Sequence, residues 1–579
     1  MRSHLLLLLL CATAILTPCA SAPPAAESVL IGALPPQHTA AGTQRAQHIA
    51  WSLTTAPTAP AAPGLRQTAA ELLVEDALTG ATVLTLSRAL GSGEGGTLLV
   101  APAELARLPR SRPLSYRLRV RTSDGAWTPL SARASWRVGP AARVAGWPAG
   151  ASWICSSPTG AADLRSSMLR AEFALPAGRS AAAALLHITG LGQFRVSVNG
   201  VDLLGAEFNA PGQTDWRKRI LYSTYELPAA LLVGGGGANA IAAVLSNGMY
   251  NVPPPSSGRY TKWTGSFGPR MLLAALVVTL DDGSTFTLST SAGGAWQATD
   301  GGPVSFTHEY AGEDRNASLE VPGWDRPGFQ PATNPLVTWA AAEDCAASAP
   351  GGALAPADFE PISAVEVLPS LSIVPSSLAG RALVDVGRNF AGPASLDVAG
   401  VPAASTLRVW PSETLAAGRI DQASGGTPMY WQVHTPAGPA GALFNVTLQP
   451  SFSMYGWRWL EVEVLSAATA AASAAGGAAS APALAGPNGT VVVRSASYGV
   501  SCNAGLSGDA TAAVAAFCDG ADPCLFQVCV CGDNSCAASA PACLPDPAQG
   551  CSKDFSVTWR CSADAPAWPN RSAYLPAEA

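Results

Sequence analysis

The stretch FRVSVNG, residues 194–200, indicates the fold class of this sequence. Phe194, Val196 and Val198 alternate with polar residues, which is the period of a strand with one buried face. Asn199-Gly200 follows at once, and this pair favours the tight two-residue turn of a β-hairpin. The stretch therefore predicts a hairpin inside a β-sheet.

Strand-like runs of the same kind lie on both sides of this hairpin. YRLRVRT puts Tyr116, Leu118 and Val120 on one face and arginines on the other, as in a half-buried strand. The other runs are IAWSL, RILYSTYEL, AIAAVLSNG, MLLAALVVTLDDGSTFTLST, RALVDVG, STLRVW, YWQVHT and WRWLEVEVL. Short strands at regular spacing predict an all-β chain of tandem β-sandwich or jelly-roll domains.

The composition agrees with this prediction. The chain has 579 residues, enough for several domains, and its 57 Gly and 48 Pro favour turns over long helices. The net charge of −6 gives no basic patch, which argues against a nucleic-acid partner. An Ala-, Gly- and Ser-rich run at residues 466–488 predicts a flexible linker.

The first 22 residues have the pattern of a secretory signal peptide. Arg2 and His4 precede an apolar run, and Ala20-Ser21-Ala22 is a small-residue cleavage site. A membrane anchor is the alternative, but the run is short of the ~20 residues that a spanning helix needs, and no later stretch provides them. We therefore expect a secreted protein, free or associated with the cell surface or wall. Four Asn-X-Ser/Thr sequons agree with export: Asn316, Asn445, Asn488 and Asn570.

The cysteines are unevenly distributed. After the leader come Cys155 and Cys345, and then nine between Cys502 and Cys561. Cys529 and Cys531 are too close together for the usual zinc-ligand spacing, and no histidine lies near this cluster, so disulfides are favoured over zinc. Because nine is odd, one thiol is free or pairs outside the module.

The central motifs resemble a known enzyme family. PGQTDWRKRILYSTYEL, LSNGMYN, EYAGEDRNASLEVPGWDRPGF and VDVGRNFAGPASLDVAG are similar to the β-sandwich domains that precede the catalytic barrel of α-L-rhamnosidases. The resemblance covers roughly residues 28–465. Some of these sandwich domains bind L-rhamnose through calcium, and the resemblance points to strand-end residues as candidates for binding sugar or calcium: Asn199, Asp215, Trp216 and Asn247. The alternative is that Asn199-Gly200 only forms a turn and binds no ligand.

The cysteine-rich end resembles a SUEL-type lectin domain, a class that binds L-rhamnose and D-galactosides. VVVRSASYG, residues 491–499, and DPAQGCSKDFSVTWRC, residues 546–561, carry the likeness. The resemblance implies a disulfide between Cys518 and Cys524. It also implies sugar contacts from three side chains and a backbone-shaping glycine: Tyr498, Asp546, Lys553 and Gly499. Arg494 stands where the family has a Glu. The alternative is therefore a disulfide-linked structural module that keeps the fold but has no sugar site.

No catalytic residues are assigned. Glycoside hydrolysis commonly needs two carboxylates across the scissile bond, and in α-L-rhamnosidases both lie in an (α/α)₆ barrel that has no counterpart in this sequence. The acids in the family motifs are interpreted as turn and strand-end residues: Glu309, Glu313, Asp314, Asp325 and Glu413. Whether the chain is an enzyme is left open, because it is either part of a longer enzyme or a non-catalytic relative.

The sequence thus predicts the secreted carbohydrate-binding portion of an α-L-rhamnosidase-like glycoside hydrolase, with rhamnose- or galactose-containing glycans as partners. A non-catalytic secreted or cell-surface lectin or adhesion protein is the alternative. The expected units are a signal peptide (1–22), a fibronectin-III-like sandwich (28–140), a rhamnosidase N-terminal jelly roll (144–335), a concanavalin-like sandwich (360–465), a linker (466–488), a small disulfide-rich lectin-like domain (489–563) and a tail (564–579).

Overall fold

The computed structural model describes residues 25–31, 40–41, 47–54, 66–91, 96–255, 258–357, 359–423 and 428–466, together with strands at 491–498, 508–509, 529–530, 543–544, 555–561 and 571–575. Among these residues, 42 strands accompany a single short α-helix, α1 (Pro102–Leu105). Isolated 3₁₀ turns occur at Val144–Gly146, Pro148–Gly150, Gly160–Ala162, Ala229–Leu231, Ala317–Leu319, Pro331–Thr333 and Ala346–Ser348. The all-β fold class is confirmed. No helix in the described part of the chain is long and apolar enough to cross a membrane.

The first unit is a two-sheet sandwich. Its strands are β1 (Ala25–Ile31), β2 (Ala40–Ala41), β3 (Gln47–Thr54), β4 (Gln67–Asp76), β5 (Thr82–Ala89), β6 (Thr97–Val100), β7 (Pro113–Thr122) and β8 (Ala134–Val138). One sheet has the order β1-β3-β6 and the other β2-β8-β7-β4-β5. Tyr116, Leu118 and Val120 of β7 are fully buried, whereas Arg117 and Arg119 pair with acids of β4 on the outer face. The predicted alternation of this strand is confirmed.

The second unit is a two-sheet jelly roll. The strands that follow along the chain are β9 (Ile154–Cys155), β10 (Ser167–Ala174), β11 (Ala181–Leu191), β12 (Gln193–Val198), β13 (Val201–Asp202), β14 (Glu207–Phe208), β15 (Arg219–Leu227), β16 (Ala238–Ser246), β17 (Asn251–Val252), β18 (Gly265–Ser266), β19 (Met271–Leu280), β20 (Thr285–Ser289), β21 (Trp296–Thr299), β22 (Val304–His308), β23 (Gly312–Asn316), β24 (Ala340–Ala341), β25 (Glu343–Asp344) and β26 (Ala353–Pro356). Two sheets form the jelly roll, with orders β13-β12-β16-β10-β21-β24 and β25-β9-β19-β11-β15-β26, and β20 pairs with β19. Apolar side chains from both sheets, such as Ile188 and Phe194, fill the space between them.

The predicted Asn199-Gly200 hairpin turn is confirmed. Val198 of β12 pairs with Val201 of β13 across the turn. Asn199 and Gly200 have φ values of 51° and 80°, the left-handed conformation that Asn and Gly tolerate best.

The third unit shares a hairpin with the jelly-roll region. Its further strands are β27 (Ile362–Ser363), β28 (Ser372–Pro375), β29 (Arg381–Gly392), β30 (Leu396–Pro402), β31 (Thr406–Ser412), β32 (Thr414–Ala416), β33 (Arg419–Asp421), β34 (Trp431–His434), β35 (Leu443–Leu448) and β36 (Tyr455–Leu465). The main sheet has the order β22-β23-β34-β31-β36-β29-β28, while β30 pairs with β35, β32 with β33 and β27 with β14. Strands β22 and β23 therefore belong to the main sheet of the third unit, although they lie inside the predicted range 144–335.

The cysteine-rich end contributes paired strands. These are β37 (Val491–Tyr498), β38 (Gly508–Asp509), β39 (Cys529–Val530), β40 (Cys543–Leu544), β41 (Phe555–Cys561) and β42 (Arg571–Leu575), with sheet orders β38-β37-β41-β42 and β39-β40. Tyr498 pairs with Phe555, so the two quoted lectin-like stretches include neighbouring antiparallel strands. Several residues for which this end carries a predicted role lie outside the described part of the chain: Gly499, Asp546, Lys553, Cys518 and Cys524.

A disulfide that the sequence did not predict joins Cys155 to Cys345. Cys155 lies in β9 and Cys345 follows β25, and these two strands pair. The bridge closes a loop of 190 residues and is buried among aromatic side chains that include Trp153 and Trp216. It therefore holds the last part of the jelly roll to the first.

We expect this bridge to contribute to stability. Replacing both cysteines with alanine should lower the free energy of unfolding by about 2–5 kcal/mol, measured by urea denaturation. Unreduced protein that is denatured and treated with iodoacetamide should carry no label at Cys155 or Cys345, whereas reduced protein should be labelled at both. Labelling of either thiol without reduction would contradict the pairing.

Candidate functional site

The four predicted sandwich residues do not form one site. Strands β12 and β16 pair antiparallel, with Gln193 opposite Ser246 at one end and Val198 opposite Ile241 at the other. Asn247 therefore lies at the first end and Asn199 at the second. At roughly 3.3 Å per residue, these ends are on the order of 15–20 Å apart.

Asn199 uses its side chain within the fold. Its amide nitrogen donates to the carbonyl of Leu231 and to Oδ1 of Asn239, both at 2.8 Å. Its Oδ1 accepts from the backbone N–H of Ala240 at 2.7 Å. These bonds fasten the hairpin turn to the neighbouring loop.

Asn247 is fully buried in a polar network. Its Oδ1 accepts from Nη1 of Arg270 at 2.7 Å and from Nδ2 of Asn251 at 2.8 Å. Its Nδ2 donates to the carbonyl of Thr307 at 3.0 Å. The network joins the end of β16 to β22.

Asp215 and Trp216 are adjacent in sequence but differ in environment. The carboxylate of Asp215 faces Arg217 and Lys218, and the hydrogen bond from Arg217 is the main cause that lowers its pKa. Trp216 is buried, with its ring 5.3 Å from that of Tyr250 and in contact with other aromatic side chains. Trp216 is thus part of the core.

These residues do not fit calcium. Calcium takes six to eight oxygen ligands. The side-chain oxygens of Asn199, Asp215 and Asn247 instead face N–H donors, and for Asp215 and Asn247 the donors include cationic groups. Among the residues described, no group of three or more His, Cys, Asp or Glu side chains could hold a metal ion. The sugar-binding role of the four residues stays a prediction.

The structure brings a different polar set together at the Asn247 end of the jelly roll, which we call the Glu309 crevice. Nε2 of Gln193 donates to Oε2 of Glu309 at 3.2 Å and to Oδ1 of Asn209 at 3.0 Å. Burial raises the pKa of Glu309, while hydrogen bonds from Gln213 and Gln193 oppose the rise. The crevice thus offers a carboxyl group and three amides.

Aromatic side chains accompany the crevice. Tyr310 follows Glu309 in the turn between β22 and β23, and its hydroxyl accepts from the indole N–H of Trp263 at 2.9 Å. Trp263 is 37% exposed, which is unusual for an indole ring. Tyr260 packs edge-on against Tyr310, with the ring centres 6.0 Å apart.

A buried histidine shapes the turn that carries Glu309. Burial is the main cause that lowers the pKa of His308 to about 4, so its ring is neutral at pH 7. Nδ1 accepts from the backbone N–H groups of Tyr310 and Ala311 at 3.2 and 3.1 Å, so Nε2 carries the proton and donates to the carbonyl of Pro253 at 3.1 Å. These bonds fix the direction of the turn.

Two further acids of the hairpin hold it in place. Both oxygens of Asp314 accept from Nη2 of Arg259 at 2.8 Å. The carboxyl group of Glu313 accepts from the backbone N–H of Ser451 at 3.0 Å and of Phe452 at 2.9 Å. Burial raises the pKa of Glu313 to about 7. Both acids are structural, as predicted for the motif acids, whereas Glu309 lies in the crevice.

Convergent hydrogen-bonding groups beside aromatic rings are the usual means of binding a sugar, whose hydroxyls need partners and whose C–H faces pack on rings. Sequence reasoning missed Gln193, Asn209, Gln213 and Trp263. Gln193 directly precedes FRVSVNG and Gln213 lies in the quoted PGQTDW motif, but no local pattern relates either residue to Glu309.

Comparison with known proteins identifies the two central units. Residues 179–366 match the alpha-L-rhamnosidase N-terminal domain, and residues 377–478 match the bacterial alpha-L-rhamnosidase concanavalin-like domain. The chain carries two α-L-rhamnosidase domains. The Glu309 crevice belongs to the first of these domains by sequence, although β22 and β23 pair with the sheet of the second.

Curated relatives extend well beyond this chain. An alpha-L-rhamnosidase of Streptomyces avermitilis is 30% identical over 346 residues, which are 58% of this chain and 29% of that protein. One from Alteromonas sp. (strain LOR) is 28% identical over 332 residues, or 54% of this chain and 32% of the relative. The chain thus spans less than a third of the length of these α-L-rhamnosidases.

Solved structures show the same fold. The alpha-L-rhamnosidase from Dictyoglumus thermophilum superposes with a TM-score of 0.59 at 20% identity, over 76% of this chain and 47% of that one. The enzyme from Aspergillus terreus gives 0.59 at 22% identity, over 77% of this chain and 47% of that one. At these identities the likeness establishes the fold alone.

The structural role of Asn247 can be tested by its effect on stability. Asn247→Ala should lower the free energy of unfolding by at least about 1–3 kcal/mol, because the buried guanidinium of Arg270 loses an acceptor. Asp215→Ala, the control, should change stability by at most about 1 kcal/mol, since its carboxylate is partly exposed and pairs only with the exposed side chains of Arg217 and Lys218. Urea denaturation of both variants checks this; a mild effect of Asn247→Ala would contradict the network.

The raised pKa of Glu313 predicts that the stability of the protein depends on pH. Its folded-state pKa of about 7 lies above the ordinary value of 4.5, so folding takes up a proton. Its contribution to stability is present below about pH 4.5 and is lost as the pH rises through about 7. Wild type should therefore lose on the order of 3 kcal/mol relative to Glu313→Gln between pH 4.5 and pH 8. A stability difference that stays constant over this range would show that Glu313 does not change protonation on folding.

Proposed function

We propose that this chain is the carbohydrate-binding portion of an α-L-rhamnosidase-like glycoside hydrolase and that it binds L-rhamnose-containing glycans. The match of two domains to this family supports the substrate class. The Glu309 crevice carries the proposal within the described residues, because it combines a carboxyl group, amides and an exposed indole at one end of the jelly roll.

In this proposal each side chain has a separate task. The carboxyl group of Glu309 accepts from sugar hydroxyls, and the amides of Asn209 and Gln213 bond neighbouring hydroxyls. Gln193 orients Glu309 and Asn209, because its Nε2 bonds both and its Oε1 accepts from Ser246 Oγ at 3.2 Å. The rings of Trp263 and Tyr310 offer apolar surface to the C–H face of the sugar.

The acids of the family motifs favour binding over hydrolysis by these two domains. Glu313 is buried beneath backbone N–H groups, and Asp314 is paired with Arg259. Glu413 accepts from Nδ2 of Asn389 at 2.9 Å. Each of these three carboxyl groups is thus engaged by groups of the fold, whereas a catalytic carboxyl group must face the scissile bond.

We propose in addition that the protein is secreted and that its cysteine-rich end is a lectin module. The sequence pattern of residues 1–22 supports the first statement. The likeness of residues 491–499 and 546–561 to SUEL-type lectins supports the second, and it assigns Lys553 as a donor to L-rhamnose or D-galactose.

Titration of the full chain with L-rhamnose tests the proposal. Glu309→Gln should weaken binding at the crevice tenfold to a hundredfold, because a charged hydrogen bond contributes about 1.5–3 kcal/mol. Glu343→Gln, the same change at an exposed glutamate of β25 outside the crevice, is the matched control and should leave binding unchanged. Lys553→Ala should instead reduce binding of L-rhamnose or D-galactose at the cysteine-rich end. If L-rhamnose produces no heat and no change in the NMR spectrum of wild type, the proposed function is wrong.

A further inference from the structure

A concave surface lies between the jelly roll and the concanavalin-like domain. This interdomain cleft has a volume of about 600 Å³, within the range of ligand-binding pockets. Arg195 and Phe208 line it from the jelly roll, and Phe444, Asn445 and Gln449 line it from the other domain. It shares no lining residue with the Glu309 crevice.

The floor of the cleft carries a half-exposed ion pair. Nε and Nη2 of Arg315 donate to the two oxygens of Glu320 at 2.6 and 3.0 Å, and the side chains are 35% and 40% exposed. This pair uses two of the five guanidinium N–H groups. A donor and an acceptor therefore lie side by side in the cleft, which is the arrangement that bonds two neighbouring hydroxyl groups.

The walls add both apolar and polar surface. Phe208 and Phe444 are half-buried, so part of each ring remains accessible, and the amides of Asn445 and Gln449 are exposed. Aromatic rings next to amides suit a ligand with C–H faces and hydroxyl edges.

The charges in the cleft are balanced. Arg195 pairs with Asp202 and also donates to the carbonyls of Gly205 and Glu207 at 3.2 and 3.3 Å. Its guanidinium thus holds the loop between β13 and β14. Since the second arginine is paired with Glu320, neither offers an unbalanced positive charge, and a neutral ligand fits better than an anion.

The wall that the concanavalin-like domain contributes is held in position without a ligand. Ser451 lines the cleft, and its backbone N–H bonds the buried carboxyl group of Glu313. A preformed site loses less conformational entropy on binding.

We propose that the interdomain cleft binds a neutral oligosaccharide and is a second sugar site, separate from the Glu309 crevice. The choice of a sugar as the ligand rests on the proposed function, whereas the location of the site rests on the volume and lining of the cleft. Because both domains build its walls, a bound oligosaccharide contacts both.

The probes are L-rhamnose and an α-linked L-rhamnose trisaccharide, titrated into the full chain. The chain should come from a host without N-glycosylation, so that the side chain of Asn445, which begins a sequon, is unmodified. The double variant Asn445→Ala, Gln449→Ala should weaken trisaccharide binding about tenfold and leave binding of the monosaccharide unchanged. Gln330→Ala, an exposed amide outside the cleft, is the control. Glu320→Gln should also weaken trisaccharide binding.

Hydrogen exchange gives a readout that does not depend on variants. The trisaccharide should slow exchange in β35 (Leu443–Leu448), and L-rhamnose should not. If the trisaccharide binds but only Glu309→Gln weakens it, the cleft proposal is overturned and the proposed function stands. If neither sugar binds, both fail. Stronger binding of a uronate-containing oligosaccharide of equal length would overturn the assignment of a neutral ligand.

Discussion

The buried guanidinium of Arg259 joins the two rhamnosidase domains. It lies 4.4 Å from the ring centre of Phe306 and 3.7 Å from that of Tyr430, and it is bonded to both oxygens of Asp314. Arg259 comes from a jelly-roll loop, whereas Tyr430 directly precedes β34 of the concanavalin-like domain. A desolvated cation–π contact contributes about 2 kcal/mol, and removing one partner of a buried ion pair costs about 3–5 kcal/mol. The orientation of the two domains therefore depends on this contact.

Both candidate sites depend on the hairpin that Arg259 holds. Its turn carries Glu309, and its second strand carries Glu313, Asp314 and Arg315 in succession, with side chains that alternate between the faces of the sheet. Glu313 fastens the segment at Ser451, while Arg315 lies on the floor of the cleft. One short stretch of sequence thus places the carboxyl group of Glu309, a domain contact and a cleft residue. Because this hairpin contacts both domains, sheet pairing does not follow the division of the chain into two sequence domains.

The features that sequence could predict are those that depend on neighbouring residues. Strand alternation and the turn at Asn199 follow from side-chain period and backbone sterics, and both are observed. The role of Asn247 could not be predicted, because its partner Arg270 lies 23 residues away and the pairing is decided by the packing of two sheets. Trp216 was a candidate because of the family resemblance of its strand-end motif, yet its side chain packs in an aromatic core. Glu309 was interpreted as a turn acid, which is correct for its backbone, but its amide partners converge only in the folded domain.

A site built by two domains couples ligand binding to their association. A sugar that contacts both walls binds the docked arrangement and not the separated one, so it stabilises docking by an amount set by its concentration relative to its dissociation constant. The reverse also holds, because linkage is reciprocal: whatever loosens the contact of Arg259 must weaken binding in the interdomain cleft. The Glu309 crevice is less exposed to this coupling, since Gln193, Asn209 and Gln213 all come from the jelly roll and only the hairpin turn crosses between domains. The two sites therefore differ in physical character: in the Glu309 crevice only the carboxyl group comes from the shared hairpin, whereas both walls of the interdomain cleft depend on how the domains meet.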